Sequence, residues 1–392
     1  MGEAQAASAR VYLDHNATSP LLPQARQAVL SVLDAPGNPS SVHGEGRQAR
    51  ALLERARGAV ARLVGGASRG VVFTSGATEA IALALHPELE FAGRARPCDV
   101  LLASAVEHPA VLRGHRFGLM EQVPVDASGR LDLDALEARL RHHRDAGRRA
   151  LVALMAANNE TGVLQPVAQA GRLAHAYDAV MFCDAVQAAG RLPLDMAALD
   201  VDLLAVSAHK IGGPQGAGAL VAADADFRVR ALVAGGGQER NRRGGTENVA
   251  AILGFGAAAE IAATRADVAR LAAARDRLEE AVLATIPGAS VVGAAVERLQ
   301  NTSMLAFSGV RAETLVIALD LAHISVSAGS ACSSGKVGPS HVLQAMGVDA
   351  ERAAGAIRLS FGWSSREEDV DRAVEALQKV VPQVRGRTTQ AA

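Results

Sequence analysis

The chain has 392 residues, 49% hydrophobic and 21% charged, with a formal net charge of −1. That length supports a large core and more than one domain, and the balanced charge excludes a global pull toward nucleic acid or an anionic membrane. No apolar run reaches the length of a membrane span. The opening Met-Gly-Glu-Ala-Gln-Ala lacks the basic and apolar regions of a secretory signal, and Ala6 breaks the myristoylation pattern. A cytoplasmic location is therefore expected, with neither nucleic acid nor membrane as partner.

Taken in chain order, short apolar runs alternate with helical patterns. Residues 70–75 (Gly-Val-Val-Phe-Thr-Ser) read as a strand and 77–85 as a helix. Further strand-like runs fall at 99–104, 149–155, 179–184 and 203–208, with helical spacing at 131–142 and 167–177. Buried runs alternating with helices predict an α/β fold whose mostly parallel sheet is covered on both faces. The triple glycine 235–237 opens a loop that lasts to Gly245, and a long Ala-rich helix is predicted from 249 to 283. Strands at 302–307 and 357–361, a helix near 313–321 and a last helix at 367–380 predict a smaller α+β domain. Residues 385–392 are expected to fray.

Three cysteines, Cys98, Cys183 and Cys332, are too few and too scattered for a disulfide framework or a zinc site. Only three lysines occur, Lys210, Lys336 and Lys379. A lysine-dependent reaction therefore has few candidates.

Gly329-Ser-Ala-Cys-Ser-Ser-Gly335-Lys336-Val337 imitates a phosphate-binding loop but fails on two counts. The glycine spacing is one residue too long, and Val337 stands where a Mg²⁺-binding hydroxyl is required. Thr74-Ser75-Gly76-Ala77-Thr78-Glu79 is a better anion site, because it lies where a strand ends and a helix begins. The same residues also read as a plain N-cap on Ser75 or Thr78. In Ser207-Ala208-His209-Lys210, the lysine follows an apolar strand and precedes a glycine turn. Partial desolvation there favours the neutral amine that forms an imine, a task arginine cannot perform. An exposed loop lysine is the plainer alternative. Asp184 ends the run Phe182-Cys183-Asp184, where a buried acid needs a cation or donors. A protonated pyridine nitrogen is a suitable partner, and Cys183 reads as a core thiol. Phosphate anchor, imine-forming lysine and aspartate at the carboxyl ends of parallel strands together match pyridoxal phosphate.

These residues belong to a longer ordered set. It comprises Tyr-Leu-Asp-His-Asn-Ala-Thr (12–18), Gly-Asn-Pro-Ser-Ser (37–41), Thr-Ser-Gly-Ala-Thr-Glu (74–79), Glu-His-Pro (107–109), Asn-Asn-Glu-Thr-Gly (158–162), Asp-Ala-Val-Gln (184–187), Ser-Ala-His-Lys (207–210), Arg-Gly-Gly-Thr-Glu-Asn (243–248), Ser-Ala-Cys-Ser-Ser-Gly (330–335) and Arg-Leu-Ser (358–360). Over nearly its whole length the chain resembles the cysteine desulfurases of the class V aminotransferase group, fold-type I pyridoxal-phosphate enzymes that include those serving iron–sulfur and nitrogenase cluster assembly.

The resemblance implies a large cofactor domain at 15–255 and a small domain from 1–14 and 256–392. It implies that Lys210 carries the cofactor and moves the α-proton, that Asp184 pairs with the pyridinium nitrogen, and that Gln187 bonds the ring hydroxyl. His108 stacks on the ring and moves protons. Ala77, Thr78, Ser207 and His209 hold the phosphate, and Thr246 reaches the phosphate of the other subunit in a homodimer. Arg358, with Asn38 and Asn159, clamps the substrate carboxylate. The implied reaction takes L-cysteine to L-alanine and leaves the sulfur as a persulfide on Cys332. An acceptor or scaffold protein then receives it. Cys332 is also implied as a ligand to a transient [2Fe–2S] cluster shared with such a scaffold. Selenocysteine lyase is the alternative, or a related aminotransferase or kynureninase-like enzyme. One departure lies near the phosphate, where Ile81 stands in a stretch that usually carries Asn. The small-residue strip around Cys332 is expected to be mobile, as in the long-loop desulfurases.

Overall fold

The structure is a computed structural model that describes residues 10–91, 93–264, 266–329 and 340–390. Cys332, Lys336 and the expected mobility of their strip lie outside the described residues. The described chain divides into two compact units, one of Thr18–Asn159 with Val163–Ala266, the other of residues up to Ala17, Glu160–Gly162 and Asp267 onward.

The larger unit is built on a 7-stranded sheet. Its lateral order is Val71–Thr74, Gly218–Ala222, Leu203–Ser207, Val180–Asp184, Ala150–Met155, Val100–Ser104, Met120–Val123. All pairings are parallel except those of Gly218–Ala222, which runs against both neighbours. The five strands expected from the sequence are present. Met120–Val123 and the antiparallel Gly218–Ala222 are additions that only the fold reveals. The strands are apolar on both faces because both are covered. On one face Val72, Leu101, Ala103, Leu151, Ala153, Phe182, Leu203, Ala205 and Leu220 form a single cluster with the helix Ala77–Ala84. Elsewhere in this unit Val249–Thr264 packs on both Pro23–Leu33 and Gly44–Leu63. Glycine makes the close approach possible, since a Cβ on Gly256 would sit 2.7 Å from the Ala56 Cα. The helix predicted over 249–283 is two helices, Val249–Thr264 and Val268–Thr285. Position 255 falls inside the first of them, so in the structure its last turns belong with the larger unit.

The smaller unit carries a 4-stranded antiparallel sheet in the order Ala289–Val291, Thr302–Phe307, Ala356–Ser360, Ser327–Ala328. Leu271, Leu278 and Val282, Leu315 and Leu319, and Val370, Leu377 and Val381 bring three helices onto it. The last helix runs Glu367–Gln390, and Arg385 donates from Nε to the Ser308 carbonyl at 3.0 Å and from Nη2 to the Pro287 carbonyl at 3.0 Å. Residues 391–392 of the stretch expected to fray lie outside the described residues. Among the described residues no single helix is long and apolar enough to cross a membrane.

Candidate active site

Parallel strands end on the same edge of their sheet, so the register of the larger unit decides which side chains meet. Met155 pairs with Asp184 and Asp184 with Ala205. The residues just beyond Ser104, Met155, Asp184 and Ser207 therefore emerge side by side along one edge. They are His108, Asn159, Gln187 and Lys210. On the far side, Thr74, Gly218 and Ser207 lie opposite one another across three strands. That places the loop after Thr74 two strand spacings from the end of Leu203–Ser207, about 10 Å.

The loop after Thr74 runs into the helix Ala77–Ala84, whose N-cap is Gly76, with no side chain capping it. Neither Ser75 nor Thr78 takes the capping role that the plain reading gave them. Glu79 accepts the Ser75 N–H at 2.8 Å and the Arg243 Nε–H at 3.0 Å. A Cβ on Gly76 would meet nothing within 4 Å, while one on Gly218 would sit 2.5 Å from the Gly76 carbonyl carbon and 2.8 Å from the Ala77 nitrogen. The strand thus backs directly onto the helix start, and the start itself opens on free space. Open N–H groups and a positive dipole end form an anion seat. Ile81 leaves that seat alone, because its side chain is 2% exposed and packs in the apolar cluster beneath the sheet.

Lys210 closes the short 3₁₀ turn Ala208–Lys210 directly after Ser207. Two of its neighbours respond to it. Burial pushes the Asp184 carboxyl up to about 6, against the Val186 N–H at 2.9 Å and the Lys210 ammonium, which pull it down. Burial, reinforced by the Lys210 charge, pushes His209 down to about 4, so its imidazole is neutral at pH 7. His209 Nδ1 lies 3.2 Å from the Thr18 hydroxyl, and its carbonyl accepts the Ser19 N–H at 2.8 Å. Buried Gln187 is oriented by Arg191, which donates to its Oε1 at 2.5 Å and to its carbonyl at 2.8 Å. An amide N–H₂ is a donor of the kind a ring hydroxyl accepts. His108 caps the short helix Pro109–Leu112, with Nδ1 accepting the Ala110 N–H at 3.1 Å. The neutral ring therefore carries its proton on Nε2.

Cys183 is buried, and that burial, with the Asp184 and Glu107 charges, raises its thiol well above the ordinary range. Cys98 is likewise pushed up to about 12 by burial. Neither is a nucleophile. Exposed Asn38 forms a local turn, its Oδ1 accepting the Ser40 N–H at 2.9 Å. Thr246 lines a small cavity with Thr74, Ser75 and Arg243. In the smaller unit Arg358 is 2% exposed on the strand Ala356–Ser360 and donates to Asp14 Oδ1 at 2.8 Å. Asp14 Oδ2 also accepts the Ser327 hydroxyl at 2.8 Å.

Sequence reasoning missed the residues that support these groups. Arg191 orients Gln187, Arg243 pairs with Glu79, and Glu107 lies fully buried one position before His108. Glu107 and Arg243 left a trace only as members of the ordered motifs 107–109 and 243–248.

The aminotransferase class-V family model matches residues 11–373. A cysteine desulfurase of Cereibacter sphaeroides is 43% identical over 96% of this chain and 97% of its own, and one of Enterobacter agglomerans is 42% identical over 96% and 93%. Among solved structures, a NifS-like protein from Rickettsia africae superposes with a TM-score of 0.84 at 33% identity, covering 95% of this chain and 99% of that one.

Proposed function

The chain belongs to the aminotransferase class-V family, and from that premise we infer that it is a cysteine desulfurase, converting L-cysteine to L-alanine with pyridoxal phosphate. The observation that carries this reading is the row of Asp184 and Lys210 on adjacent strand ends beside an uncapped helix start. The donor set fits the cofactor at each point. The N–H groups of Ala77 and Thr78, with Ser207 and His209, would hold the phosphate. Asp184 would face the ring nitrogen, Gln187 the ring hydroxyl and His108 the ring face. When bound, the cofactor supplies an electron sink for the substrate's α-carbon.

The protein's own groups do the rest. Lys210 would provide the amine that holds the cofactor's aldehyde carbon and would carry the substrate's α-proton. A cation opposite Asp184 keeps that buried carboxylate ionised. His209 is neutral at pH 7 and adds no charge of its own at the phosphate. His108, with Nδ1 committed to the Ala110 N–H, offers Nε2 as the proton-moving atom. Arg358, Asn38 and Asn159 bind the substrate carboxylate. The Cys332 thiolate takes the substrate sulfur: the S–S bond forms as Cβ–Sγ breaks, and the bonding pair, with a proton, ends in the methyl of alanine. The product on the protein is a Cys332 persulfide, which an acceptor or iron–sulfur scaffold protein then discharges. The cytoplasmic homodimer with Thr246 reaching the second site, and a transient [2Fe–2S] cluster on Cys332, belong to this same proposal.

Two variants test it. Purified Lys210→Ala should lose the visible cofactor band that borohydride bleaches in the wild type. Cys332→Ala should keep that band and lose desulfuration of cysteine. Intact desulfuration in Cys332→Ala would remove the thiol from the mechanism. A wild-type protein that takes up pyridoxal phosphate yet leaves cysteine untouched would remove the activity.

A further inference from the structure

Asp14 has no part in the chemistry above, yet it touches the arginine assigned to the substrate carboxylate. Its backbone is held from both sides within the smaller unit. Val11 and Tyr12 pair in parallel with Ile324 and Ser325, and the Leu13 N–H donates to the Ser325 carbonyl at 2.9 Å. On the other side, the Ser360 N–H donates to the Leu13 carbonyl at 2.7 Å, and the His15 N–H donates to the Ser360 carbonyl at 3.2 Å. Asn16 continues the tie, its N–H donating to the Ser360 hydroxyl at 2.9 Å. Residues 11–16 therefore run between Ile324–Ser325 and the end of Ala356–Ser360, which leaves Asp14 little room to shift.

From that fixed point the carboxylate joins two residues on neighbouring strands. Ser327 and Arg358 are register partners where Ser327–Ala328 pairs with Ala356–Ser360. Asp14 Oδ1 accepts from Arg358 Nη2, and Oδ2 accepts from the Ser327 hydroxyl, each at 2.8 Å. The Arg358 side chain is 2% exposed and that of Asp14 17%. A guanidinium buried so deeply is costly without an opposite charge beside it. Orientation matters as much as charge. A guanidinium grips a carboxylate through two parallel N–H bonds only when its plane is aligned with that group. A long side chain already held in place also loses less freedom when the ligand arrives.

We propose that Asp14 is a positioning residue: by tying Arg358 to Ser327 it sets the plane of the guanidinium that receives the substrate's carboxylate. The proposal rests on the desulfurase reading, in which Arg358 takes that group. It is tested by titrating the visible band of the reconstituted full-length protein with two ligands that do not turn over. One is L-alanine, the product, and the other is ethylamine, the same amine without the carboxylate. Asp14→Ala should weaken L-alanine by about tenfold or more and leave ethylamine within about twofold. A merely structural role would weaken both alike. Added to Arg358→Ala, Asp14→Ala should change L-alanine affinity by less than about twofold, because its effect passes through the guanidinium. Equal losses for the two ligands, tighter binding of L-alanine, or a full further loss on Arg358→Ala would overturn the proposal. Arg358→Ala separates the two ways of failing. If it treats the two ligands alike, the carboxylate reading of Arg358 falls and this proposal with it. If it discriminates between them and Asp14→Ala does not, this proposal alone falls. Should Asp14→Ala fail to fold, Asp14→Asn decides, since it keeps the volume and one acceptor oxygen but not the charge. It should still weaken L-alanine about threefold more than ethylamine, and equal effects would overturn the proposal.

Discussion

Removing the negative charge of Glu239 gives the sharpest test of what stabilises the larger unit. Val71–Thr74 is an edge strand, and Glu239 Oε2 covers its exposed side by accepting the Phe73 N–H at 3.0 Å. The same carboxylate holds Arg57 in a two-pronged pair, Nη1 to Oε2 at 2.7 Å and Nη2 to Oε1 at 2.8 Å, with both side chains buried. Glu239, Arg240 and Asn241 follow one another at φ 46°, 58° and 65°, a left-handed run that costs about 1–2 kcal/mol per residue without glycine. The pair therefore holds a strained turn as well as two charges. Glu239→Gln keeps the volume but sets an N–H₂ against the guanidinium donors and leaves the Arg57 charge buried. Breaking a buried pair in this way costs roughly 3–5 kcal/mol. The lower end, about 3 kcal/mol, applies here, because Glu54 still meets Arg57 Nε at 3.2 Å and the Val71 carbonyl accepts Nη1 at 2.9 Å. For a unit of roughly 250 residues that lowers Tm by about 6–12 °C, read by calorimetry of the apoprotein at pH 7 and fixed protein concentration. Adding Arg57→Met should recover at least half of the loss, because the stranded charge is gone. A single variant melting within 1 °C of wild type, or a double variant no better than the single, would refute the reasoning.

Two further outcomes follow from the geometry. His175 lies between Asp202 at 2.9 Å and Asp200 at 3.1 Å, and the hydrogen bond to Asp202 leads the effects that raise it to about 9. A histidine raised on folding contributes stability that is complete below about 6.5 and is lost as pH climbs through 9. His175→Gln should flatten the urea-midpoint profile across that window, by on the order of 1 kcal/mol after solvent screening; an unchanged slope would count against the pair. Gly218→Ala should push the strand off the start of Ala77–Ala84, since both nearby atoms are backbone. We expect a stability cost of about 1–3 kcal/mol and weaker pyridoxal phosphate uptake in a fluorescence titration. Wild-type affinity would mean that the helix start is not the phosphate seat.

Much of the larger unit was legible in the sequence because buried parallel strands are continuous apolar runs, and 71–74, 100–104, 150–155, 180–184 and 203–207 could hardly be anything else. Gly218–Ala222 was not legible. A Gly-Ala-Leu-Val-Ala run carries no mark of direction, and its antiparallel course is decided by the neighbours it fits between. The break between the helices Val249–Thr264 and Val268–Thr285 was equally hidden, since the composition stays alanine-rich across it.

The chemistry divides in the same way. The sequence by itself determined which residues could react: a strand-end lysine in a chain with few lysines, a strand-end aspartate, and a helix start rich in small residues. Those properties depend on residue type and local order, which a linear pattern preserves. Only the tertiary structure decided their state and their support. Asp184 is raised and His209 lowered because of what surrounds them. Gln187 is turned by Arg191, Glu79 by Arg243, and Glu107 takes the place of a strand carbonyl 48 positions along the chain from it in Met155. Burial and partnership at that separation arise from how strands are laid side by side, and residue type alone does not encode them.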